Sequence, residues 1–355
     1  MNDVLLVGGG KIGAMITELL AGCGDYRVTV ADRSAAALAN VAVRENVDSL
    51  QLDVTDGAAL GRALEGRFAV LSAVPFSVTR HVADGAAAAS VHYFDLTEDV
   101  RTTNHVKTLA ESARSVLMPQ CGLAPGFISV AAHDLAGRFD KLDEIRMRVG
   151  ALTENPANRL RYELTWSVEG LVHEYLAECD AVVDGKPSKV RPLEGHETFT
   201  LDGIDYEAFN TSGGVGTLGA TLAGRVRNLN YKTIRYPGHC AIMKRLIGDL
   251  GLDEATLTEI LGYALPRTSQ DIVLIVVSAT GRIGGEARDE TFVRKVYSRA
   301  EGGAHWSAIQ ITTASAICAA LDLVREGRLP QQGFVRQEDI SLEDFIVNRF
   351  GRNYA

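Results

Sequence analysis

Short apolar runs alternate with amphipathic stretches along the first third of the chain. Residues 4–7 form a β-branched run typical of a buried parallel strand, and apolar side chains then recur at helical spacing from residue 12 to residue 20. The same alternation predicts strands at 27–31, 49–52, 69–73, 92–96 and 115–118, and helices at 55–64, at 78–90 and from Ser34 onward. This pattern indicates an α/β protein with a doubly wound parallel sheet.

The pattern changes after Pro125-Gly126. Residues 142–150 and 271–280 alternate charged and apolar side chains, as half-exposed strands do, and residues 184–187 have the composition of a turn. This middle part predicts a mixed sheet with a few helices, up to about residue 303. Residues 308–325 then form a long, Ala-rich helical pattern, which is followed by an amphipathic tail.

Composition and charge argue against several classes of protein. The 355 residues, 46% hydrophobic and 23% charged, fit a globular protein of about two domains, and the net charge of −9 argues against nucleic acid as a partner. Five scattered cysteines without a Cys-x-x-Cys pair indicate neither disulfides nor a metal site, so we expect no metal and a cytoplasmic location. We also expect no contact with a membrane, because no apolar run reaches the length of a membrane helix.

A glycine-rich turn, Gly8-x-Gly10-x-x-Gly13, lies between the first strand and the first helix, and Asp32 follows 19 positions later, at the end of the second strand. Glycines at these places let the backbone approach a pyrophosphate, whose charge the helix N-terminus attracts. Asp32 is suited to the ribose hydroxyls and repels a 2′-phosphate, which favours NAD, whereas Arg33 beside it suits NADP. The predicted cofactor-binding residues are Gly8, Gly10, Lys11, Ile12, Gly13, Asp32, Arg33, Ala73, Val74 and Pro75.

Three segments follow strands at the edge where a doubly wound sheet binds its ligands. The segment 73–76 either borders the nicotinamide side of the cofactor or is a plain turn. Asp95 either holds an amine and takes its proton, or caps a helix. Cys121, which opens the loop CGLAPG, is either a nucleophile or a small buried hydrophobe.

The segment KTIRYPGH from Lys232 combines a cation, an aromatic ring and an imidazole. Arg235 is suited to gripping a carboxylate, and His239 is a candidate base near neutral pH. Each residue alone is ordinary on a surface loop, and their clustering favours a site. We therefore predict Arg235 and Tyr236 to bind substrate.

Seven segments spread over nearly the whole chain resemble the saccharopine dehydrogenase-like superfamily, and within it most closely the bacterial lysine 6-dehydrogenases. They are the turn at 8–13, HYFDLTE from His92, CGLAPG from Cys121, WSVEGLVHEY from Trp166, EAFNTSGGVGTL from Glu207, KTIRYPGH from Lys232 and LPQQGFVRQEDI from Leu329. The chain departs from the glutamate-forming saccharopine reductases in its GLAPG loop, where they tend to have GLDPG, and in its Asp32, which they tend to lack.

The resemblance implies a Rossmann domain interrupted by a mixed α/β domain that helps to form a homodimer or homotetramer. It sets the NAD-binding domain at 1–125 plus 306–355 and the substrate and oligomerisation domain at 126–305. It further implies that Arg235 binds the α-carboxylate of an amino-acid substrate, that Asp95 and Cys121 line the reacting centre, and that Trp166 covers the pocket.

The implied reaction is NAD-dependent oxidative deamination of the ε-amino group of L-lysine. Its products are ammonia and the 6-semialdehyde, which cyclises to a piperideine carboxylate. The amine must first lose a proton, and because its pKa is about 10.4, a base or desolvation must help. Asp95 and His239 are the candidate bases, and the sequence does not choose between them.

Two alternatives stay open. A saccharopine or carboxynorspermidine dehydrogenase would act on a secondary amine with extra carboxylates and would need a second cation, for which Arg159 and Arg161 are candidates. A non-catalytic, NAD-binding regulator would keep the glycine-rich turn and lose the chemistry of the pocket. The presence of Asp95, Arg235 and His239 together argues against such a regulator.

Overall fold

The computed structural model describes residues 1–39, 41, 44–301 and 303–355. The chain divides into two compact units: Met1–Val130 together with Gln310–Ala355, and Ala131–Ile309. These divisions lie a few residues C-terminal of the boundaries that the sequence predicts. We refer to them as the first and the second unit and describe each by itself.

The first unit contains a parallel sheet of seven strands. Its strands are β1 Asn2–Val7, β2 Tyr26–Asp32, β3 Val47–Gln51, β4 Ala69–Ser72, β5 His92–Asp95, β6 Val116–Met118 and, near the C-terminus, β17 Gly333–Phe334. Their order across the sheet is β17-β6-β5-β4-β1-β2-β3. The predicted doubly wound sheet is confirmed, and the C-terminal tail adds a strand that its composition does not reveal.

Helices follow the strands of this unit. They are α1 Lys11–Gly22, α2 Ala35–Leu38, α3 Gly57–Leu64, α4 Phe76–Ala89, α5 Val100–Ala110, α6 Phe127–Gly137, α11 Ala308–Arg325 and α12 Leu342–Val347, with short 3-10 turns at Gln337–Asp339 and Gly351–Tyr354. The two divisions between the units fall inside α6 and α11. The helices α5 and α6 are absent from the sequence prediction; α5 is hard to recognise because Thr102 and Thr103 form part of its buried face.

The C-terminal segment is fastened to the first unit by buried polar contacts. Asp322 of α11 is fully buried and accepts hydrogen bonds from the Tyr26 hydroxyl at 2.7 Å, from Asn348 Nδ2 at 2.9 Å and from Arg349 Nε at 3.0 Å. Among the described residues, α11 alone has the length and mean hydropathy (1.3) of a membrane span, and 83% of it is buried inside the protein. Its apolar composition is therefore accounted for by its place in the core.

The second unit contains a mixed sheet. Its strands are β7 Lys141–Thr153, β8 Cys179–Val183, β9 Lys186–Val190, β10 Glu197–Leu201, β11 Ile204–Asn210, β12 Val226–Arg235, β13 Asp271–Ile283 and β14 Glu286–Tyr297, and a separate pair consists of β15 Arg299–Glu301 and β16 Ala304–Trp306. The main path is β10-β11-β12-β7-β13-β14, with β8 and β9 attached beside β12. Only β7 and β12 run parallel along this path, so the predicted mixed sheet is confirmed.

Besides the larger part of α6, four helices and a π-helical turn occur in the described residues of this unit. They are α7 Val168–Leu176, α8 Leu218–Thr221, α9 His239–Lys244, α10 Glu254–Ala264 and the π-helical turn Arg245–Asp249. The helices α7, α9 and α10 share one apolar cluster with Phe209 of β11, and a second cluster contains Ile234 and Tyr236. Because side chains alternate along a strand, Arg235 projects to the face opposite Ile234.

Candidate active site

The glycine-rich turn is built from close backbone contacts. A Cβ on Gly13 would lie 1.9 Å from the carbonyl oxygen of Gly8, and a Cβ on Gly8 would lie 2.5 Å from that of Ala73. Gly8 also has a φ of +110°, a backbone conformation that residues with a Cβ rarely adopt. The turn after β1 and the segment after β4 are therefore held against each other at the carboxyl edge of the sheet.

The N-terminus of α1 has room for an anion. Gly10 is its N-cap, no side chain among the described residues caps it, and a Cβ on Gly10 would have open space around it. The first N–H groups of a helix need acceptors and carry partial positive charge. Lys11 is exposed beside Ile12, and its carbonyl oxygen accepts a hydrogen bond from Gln310 Nε2 at 2.9 Å. The residues present fit the pyrophosphate of a dinucleotide.

Asp32 is held by the backbone on both of its oxygens. Gly9 N–H donates to Oδ2 and Ser34 N–H donates to Oδ1, each at 2.8 Å. The carboxylate keeps further lone pairs that can accept hydroxyl groups of a ribose. Arg33 is exposed. The pKa of the neighbouring Asp53 is lowered mainly by hydrogen bonds from Thr55 and to a smaller extent by the charge of Arg33. Arg33 forms no ion pair with Asp53 among the described residues.

Asp95 lies fully buried at the end of β5 and accepts three hydrogen bonds. The Tyr93 hydroxyl donates to Oδ2 at 2.6 Å, and the N–H groups of Thr97 and Gln120 both donate to Oδ1 at 2.9 Å. Burial raises the pKa of Asp95 to about 6, although these three bonds favour the charged form. Asp95 thus joins the segments that follow β5 and β6 through hydrogen bonds. Its pKa also lies close to the neutral range.

Cys121 is buried beside Asp95. Its N–H donates to the Asp95 carbonyl oxygen at 2.7 Å, its thiol lies 3.1 Å from the carbonyl oxygen of Met118, and Gln337 Nε2 donates to Sγ at 3.1 Å. Burial and the charge of Asp95 hold the pKa of the thiol well above its ordinary value. The thiol is therefore neutral and internally bonded. It lacks the depressed pKa of an activated nucleophile.

Arg235, at the end of β12, is buried among aromatic rings. Its Nε donates to the Tyr175 hydroxyl at 3.0 Å, and its Nη1 donates to Thr233 Oγ1 at 2.5 Å and to the Ile234 carbonyl oxygen at 2.9 Å. Its guanidinium carbon lies 5.0 Å from the centre of the Tyr162 ring. The described residues offer Nη2 no acceptor, and no carboxylate in that part of the chain forms an ion pair with Arg235.

A chain of hydrogen bonds leads from Arg235 through Tyr175 to His239. The Tyr175 oxygen lies 2.9 Å from His239 Nε2, and His239 Nδ1 lies 3.1 Å from the carbonyl oxygen of Leu160. Because a guanidinium only donates, the Tyr175 hydroxyl donates to Nε2, and the ring proton of His239 is on Nδ1. Burial, and then the charge of Arg235, lower the pKa of His239 to about 3. His239 is therefore a neutral positioning residue in this arrangement.

Trp166 reaches the same cluster through Tyr162. Its Nε1 donates to the Tyr162 hydroxyl at 3.2 Å, and its ring packs on Gly170, where a Cβ would lie 2.4 Å from it. Trp166 is half-buried. The fold thus brings together the predicted substrate-binding residues Arg235 and Trp166 and the candidate base His239.

Tyr236 is not brought into this cluster. It follows Arg235 on the chain and so projects to the other side of the sheet, where its ring stacks on Tyr206 at 5.7 Å and its hydroxyl donates to the carbonyl oxygen of Thr153 at 3.0 Å. Arg161 lies over the Tyr236 ring, and Arg159 is exposed. Among the described residues, no hydrogen bond, ion pair or ring contact joins either arginine to Arg235.

Sequence reasoning missed the residues that hold the predicted ones in place. These are Tyr93, Gln120 and Gln337 in the first unit and Tyr162, Tyr175 and Thr233 in the second. Tyr93 was detectable in principle, because it lies two positions before Asp95 on one strand face. No group of three or more His, Cys, Asp or Glu side chains that could hold a metal occurs in the described residues.

The turn at 8–13, the open helix N-terminus and Asp32 define a dinucleotide-binding protein of the Rossmann class. Residues 4–118 match the family description "Saccharopine dehydrogenase NADP binding domain", and residues 122–352 match "Saccharopine dehydrogenase C-terminal domain". The chain therefore belongs to the saccharopine dehydrogenase family.

Individual relatives agree with this assignment. A curated Saccharomyces cerevisiae protein, saccharopine dehydrogenase [NADP(+), L-glutamate-forming], is 27% identical over 201 residues, which are 52% of this chain and 43% of that protein. The match thus spans less than half of the relative's length. A structure of apo saccharopine dehydrogenase (L-Glu forming) from Saccharomyces cerevisiae has a TM-score of 0.78 at 19% identity, over 100% of this chain and 96% of that one. This similarity shows a shared fold.

Proposed function

We propose that the protein is an NAD-dependent oxidoreductase that removes the ε-amino group of L-lysine. The amine-bearing carbon loses a hydride and its nitrogen loses a proton, and water then replaces the nitrogen, which leaves as ammonia. The remaining 6-semialdehyde cyclises onto its own α-amine. The observation that carries this proposal is the buried guanidinium of Arg235, which has no ion-pair partner in the described residues.

Arg235 is suited to bind the substrate carboxylate. A buried charge is costly unless it is paired, and Tyr162 and Tyr175 supply only ring and hydroxyl contacts. Nη2, which lacks an acceptor among the described residues, points to an anionic ligand that completes the pairing. A carboxylate fits a guanidinium because it offers two oxygens in the same plane.

Of the two candidate bases, His239 and Asp95, only Asp95 is suited to accept the proton of the amine. His239 Nε2 already accepts the Tyr175 hydroxyl, and the pKa of His239 of about 3 makes it a poor base at neutral pH. Asp95, with a pKa of about 6, is ionised at neutral pH, and its Oδ2, which accepts only the Tyr93 hydroxyl, retains a lone pair. We therefore propose Asp95 over His239 as the proton acceptor, and Cys121 as a neutral wall residue.

The proposal of NAD over NADP rests on Asp32. Its charge repels a 2′-phosphate, and the N–H groups of Gly9 and Ser34 hold both of its oxygens in place. A bound nicotinamide would accept the hydride. Gly8, Gly10 and Gly13 leave the backbone room for the pyrophosphate, and Ala73, Val74 and Pro75 form the neighbouring wall at the same edge of the sheet.

A second candidate function is oxidation of the secondary amine of saccharopine. The Saccharomyces cerevisiae relative with this printed activity favours it. Saccharopine has additional carboxylates, which should require further cations beside Arg235. Arg159 and Arg161 make no contact with Arg235 among the described residues, and this supports the smaller substrate.

The test compares L-lysine with saccharopine, each with NAD and with NADP, by the growth of reduced-nicotinamide absorbance and by ammonia release. We expect lysine to be oxidised with NAD and ammonia to be released. Arg235→Lys should raise the KM for lysine roughly tenfold or more and leave the KM for NAD unchanged, while Arg159→Lys at an exposed position should change neither. Turnover of saccharopine alone would establish the second candidate.

A further inference from the structure

A short loop after β11 carries buried polar groups that have no partners. It comprises residues 211–215, with the sequence TSGGV, and we call it the 211–215 loop. Thr211 and Ser212 are only 2% and 6% exposed, and their hydroxyl oxygens form no hydrogen bond among the described residues. The N–H groups of Gly213, Gly214 and Val215 likewise have no acceptor in that part of the chain. Buried hydroxyl and N–H groups normally have partners, so these groups point to a polar ligand.

The chemistry of the 211–215 loop favours an anion. Gly213 has a φ of +88°, and successive N–H groups beside such a left-handed residue can form a concave nest for negative charge. The hydroxyl groups of Thr211 and Ser212 can also donate to an anion. The loop contains no acidic side chain that would bind a cation. Its groups are therefore suited to the oxygens of a carboxylate.

The 211–215 loop begins on the face of the sheet that carries Arg235. The strands β11 and β12 pair with Phe209 opposite Thr233, and continuing this register places Thr211 opposite Tyr231. Because side chains alternate along a strand, Thr211 and Tyr231 lie on the same face as Thr233 and Arg235. The guanidinium of Arg235 reaches back along β12 to Thr233, in the direction of Tyr231. The guanidinium is thus directed along β12 toward the loop.

Two contacts hold the 211–215 loop beside this face. The Tyr231 ring lies directly against Gly214 and leaves no room for a Cβ there. Ser212 N–H donates, at 3.1 Å, to the backbone carbonyl oxygen of the residue that precedes Tyr175 on α7. The hydroxyl of Tyr175 in turn accepts the hydrogen bond from Arg235 Nε. The loop is therefore fastened to the same strand and helix that position Arg235.

Arg235 alone does not satisfy a carboxylate. Its Nε and Nη1 already donate to Tyr175, to Thr233 and to the Ile234 carbonyl oxygen, and only Nη2 lacks an acceptor among the described residues. The two oxygens of a carboxylate together accept about four hydrogen bonds. A carboxylate bound at Arg235 therefore needs further donors, and the 211–215 loop has both N–H and hydroxyl groups to supply them.

We propose that the 211–215 loop and Arg235 together bind one carboxylate of the substrate. Arg235 supplies the positive charge, and the loop supplies neutral donors for the lone pairs that Nη2 does not reach. The inference rests on the proposed function and deepens it, since it names the groups that complete the carboxylate site. The substrate is then held by backbone and hydroxyl groups as well as by a cation.

The test measures binding without turnover in variants that lack one hydroxyl. Isothermal titration calorimetry on the full chain, without cofactor, uses L-norleucine, which has the carboxylate of an amino acid and no ε-amine, and separately saccharopine. Ser212→Ala and Thr211→Val should each raise the Kd about tenfold or more, as the loss of a hydrogen bond to a charged group does. Ser115→Ala should leave the Kd unchanged. It is the matched control, since the Ser115 hydroxyl is also buried and without a partner among the described residues, but lies in the first unit.

Two further measurements separate binding from folding. The three substitutions remove hydroxyl groups that form no hydrogen bond within the described residues, so none should lower the urea midpoint of the ligand-free protein. A lower midpoint in Ser212→Ala and Thr211→Val but not in Ser115→Ala would show that the loop hydroxyls serve the fold, and would overturn the inference. In NMR spectra of the wild-type protein, the amide signals of Gly213, Gly214 and Val215 should shift when norleucine is added. Unchanged amide signals at saturating norleucine would overturn the inference too.

The titrations also distinguish the loop from the reaction. An unchanged Kd in both loop variants overturns the inference even if lysine is turned over, and so does an equal rise in Ser115→Ala. Failure of both norleucine and saccharopine to bind the wild-type protein overturns it without any variant. A rise in Kd confined to the loop variants supports the carboxylate site with either ligand, and it does so even if lysine proves not to be the substrate.

Discussion

Tyr175 accepts a hydrogen bond of 3.0 Å from Nε of Arg235, and this contact determines which group donates in the hydrogen bonds that lead on to His239 and Leu160. The Tyr175 hydroxyl has to donate onward, so His239 accepts at Nε2 and donates from Nδ1 to Leu160. The guanidinium is thus oriented by a chain of neutral groups. Its remaining amino group, Nη2, has no acceptor among the described residues.

The first prediction concerns Tyr175→Phe. The variant leaves Arg235 Nε without its acceptor and His239 Nε2 without its donor, and both are buried. We expect a loss of about 1–3 kcal/mol in the free energy of unfolding. The KM for the amino acid should rise several-fold, because the guanidinium is less well oriented, while the KM for NAD stays unchanged.

Steady-state kinetics and urea unfolding measure these two effects. Tyr206→Phe is the matched control, since Tyr206 is equally buried but stacks on Tyr236 in the second apolar cluster. It should leave both Michaelis constants unchanged. An unaltered KM for the amino acid in Tyr175→Phe would contradict the orienting role.

The second prediction is that His239 stays neutral throughout the physiological pH range. Burial and Arg235 lower its pKa to about 3, so its charged form is disfavoured in the folded state. A lowered histidine pKa stabilises the fold above the unfolded-state pKa of 6.5, and this contribution is lost as the pH falls below that value. NMR of the imidazole nitrogens should show the Nδ1–H tautomer from neutral pH down to about pH 5.

The His239 signal is assigned by its loss in His239→Gln. The seven other histidines of the eight in the chain remain as internal references. A His239 ring that takes up a proton near pH 6.5 would show that the buried chain is open to water, and would restore this residue as a candidate base.

The sequence predicts helices and strands well where a single hydrophobic periodicity dominates. The bounds of α11 agree with the predicted 308–325, because apolar and small residues recur without interruption up to Arg325. The helix α5 was missed because threonines form part of its buried face. Hydrophobic periodicity detects apolar burial, and it does not detect a polar side chain that is buried with its hydrogen bonds satisfied.

The candidate site was predictable where parallel strands end together. Asp95 and Cys121 follow neighbouring strands, and the structure joins them by a 2.7 Å backbone hydrogen bond. Tyr175 was not predictable in this way. It lies at helical spacing from Leu171 and Val172, as a core residue does, and its partner His239 is 64 positions away. Only the tertiary fold brings those two side chains into contact.

The third prediction concerns Asp95→Asn. An asparagine can keep both bonds from Thr97 and Gln120 on Oδ1, and its Nδ2 can donate to the Tyr93 oxygen, so the local structure should persist. Burial raises the pKa of Asp95 from 3.8 to about 6. A raised carboxyl pKa favours the folded state at low pH, and this contribution is lost as the pH rises through about 6.

The variant lacks this titration. Relative to the wild-type protein, its free energy of unfolding should therefore increase by up to about 3 kcal/mol between pH 4 and pH 7. Urea unfolding at both pH values measures the difference. A difference between the two proteins that is independent of pH would mean that the Asp95 pKa is unshifted in the folded state.

The fourth prediction concerns Asp271→Asn, which removes a helix-capping carboxylate. Asp271 lies at the start of β13, its oxygens accept the N–H groups of Ala308 and Ile309 separately, and burial raises its pKa to about 6. An asparagine would turn its Nδ2 toward one of these donors. We expect Asp271→Asn to lower the free energy of unfolding by about 1–3 kcal/mol at neutral pH. Equal stability of the variant and the wild-type protein would show that the first turn of α11 does not need this cap.

The fifth prediction concerns the choice of cofactor. Asp32 is fixed by the N–H groups of Gly9 and Ser34, so its charge cannot turn away from the ribose that the glycine-rich turn would present. Asp32→Ser removes the charge and keeps a hydroxyl at the end of β2. The ratio of kcat/KM for NAD to that for NADP should fall by roughly tenfold or more, because the repulsion of a 2′-phosphate is lost. Asp53→Asn is the control: it removes a carboxylate at an exposed position outside the Asp32 contacts, and it should change the ratio by a much smaller factor. If the wild-type protein itself prefers NADP, Arg33 outweighs Asp32, and Arg33→Ala should then abolish that preference.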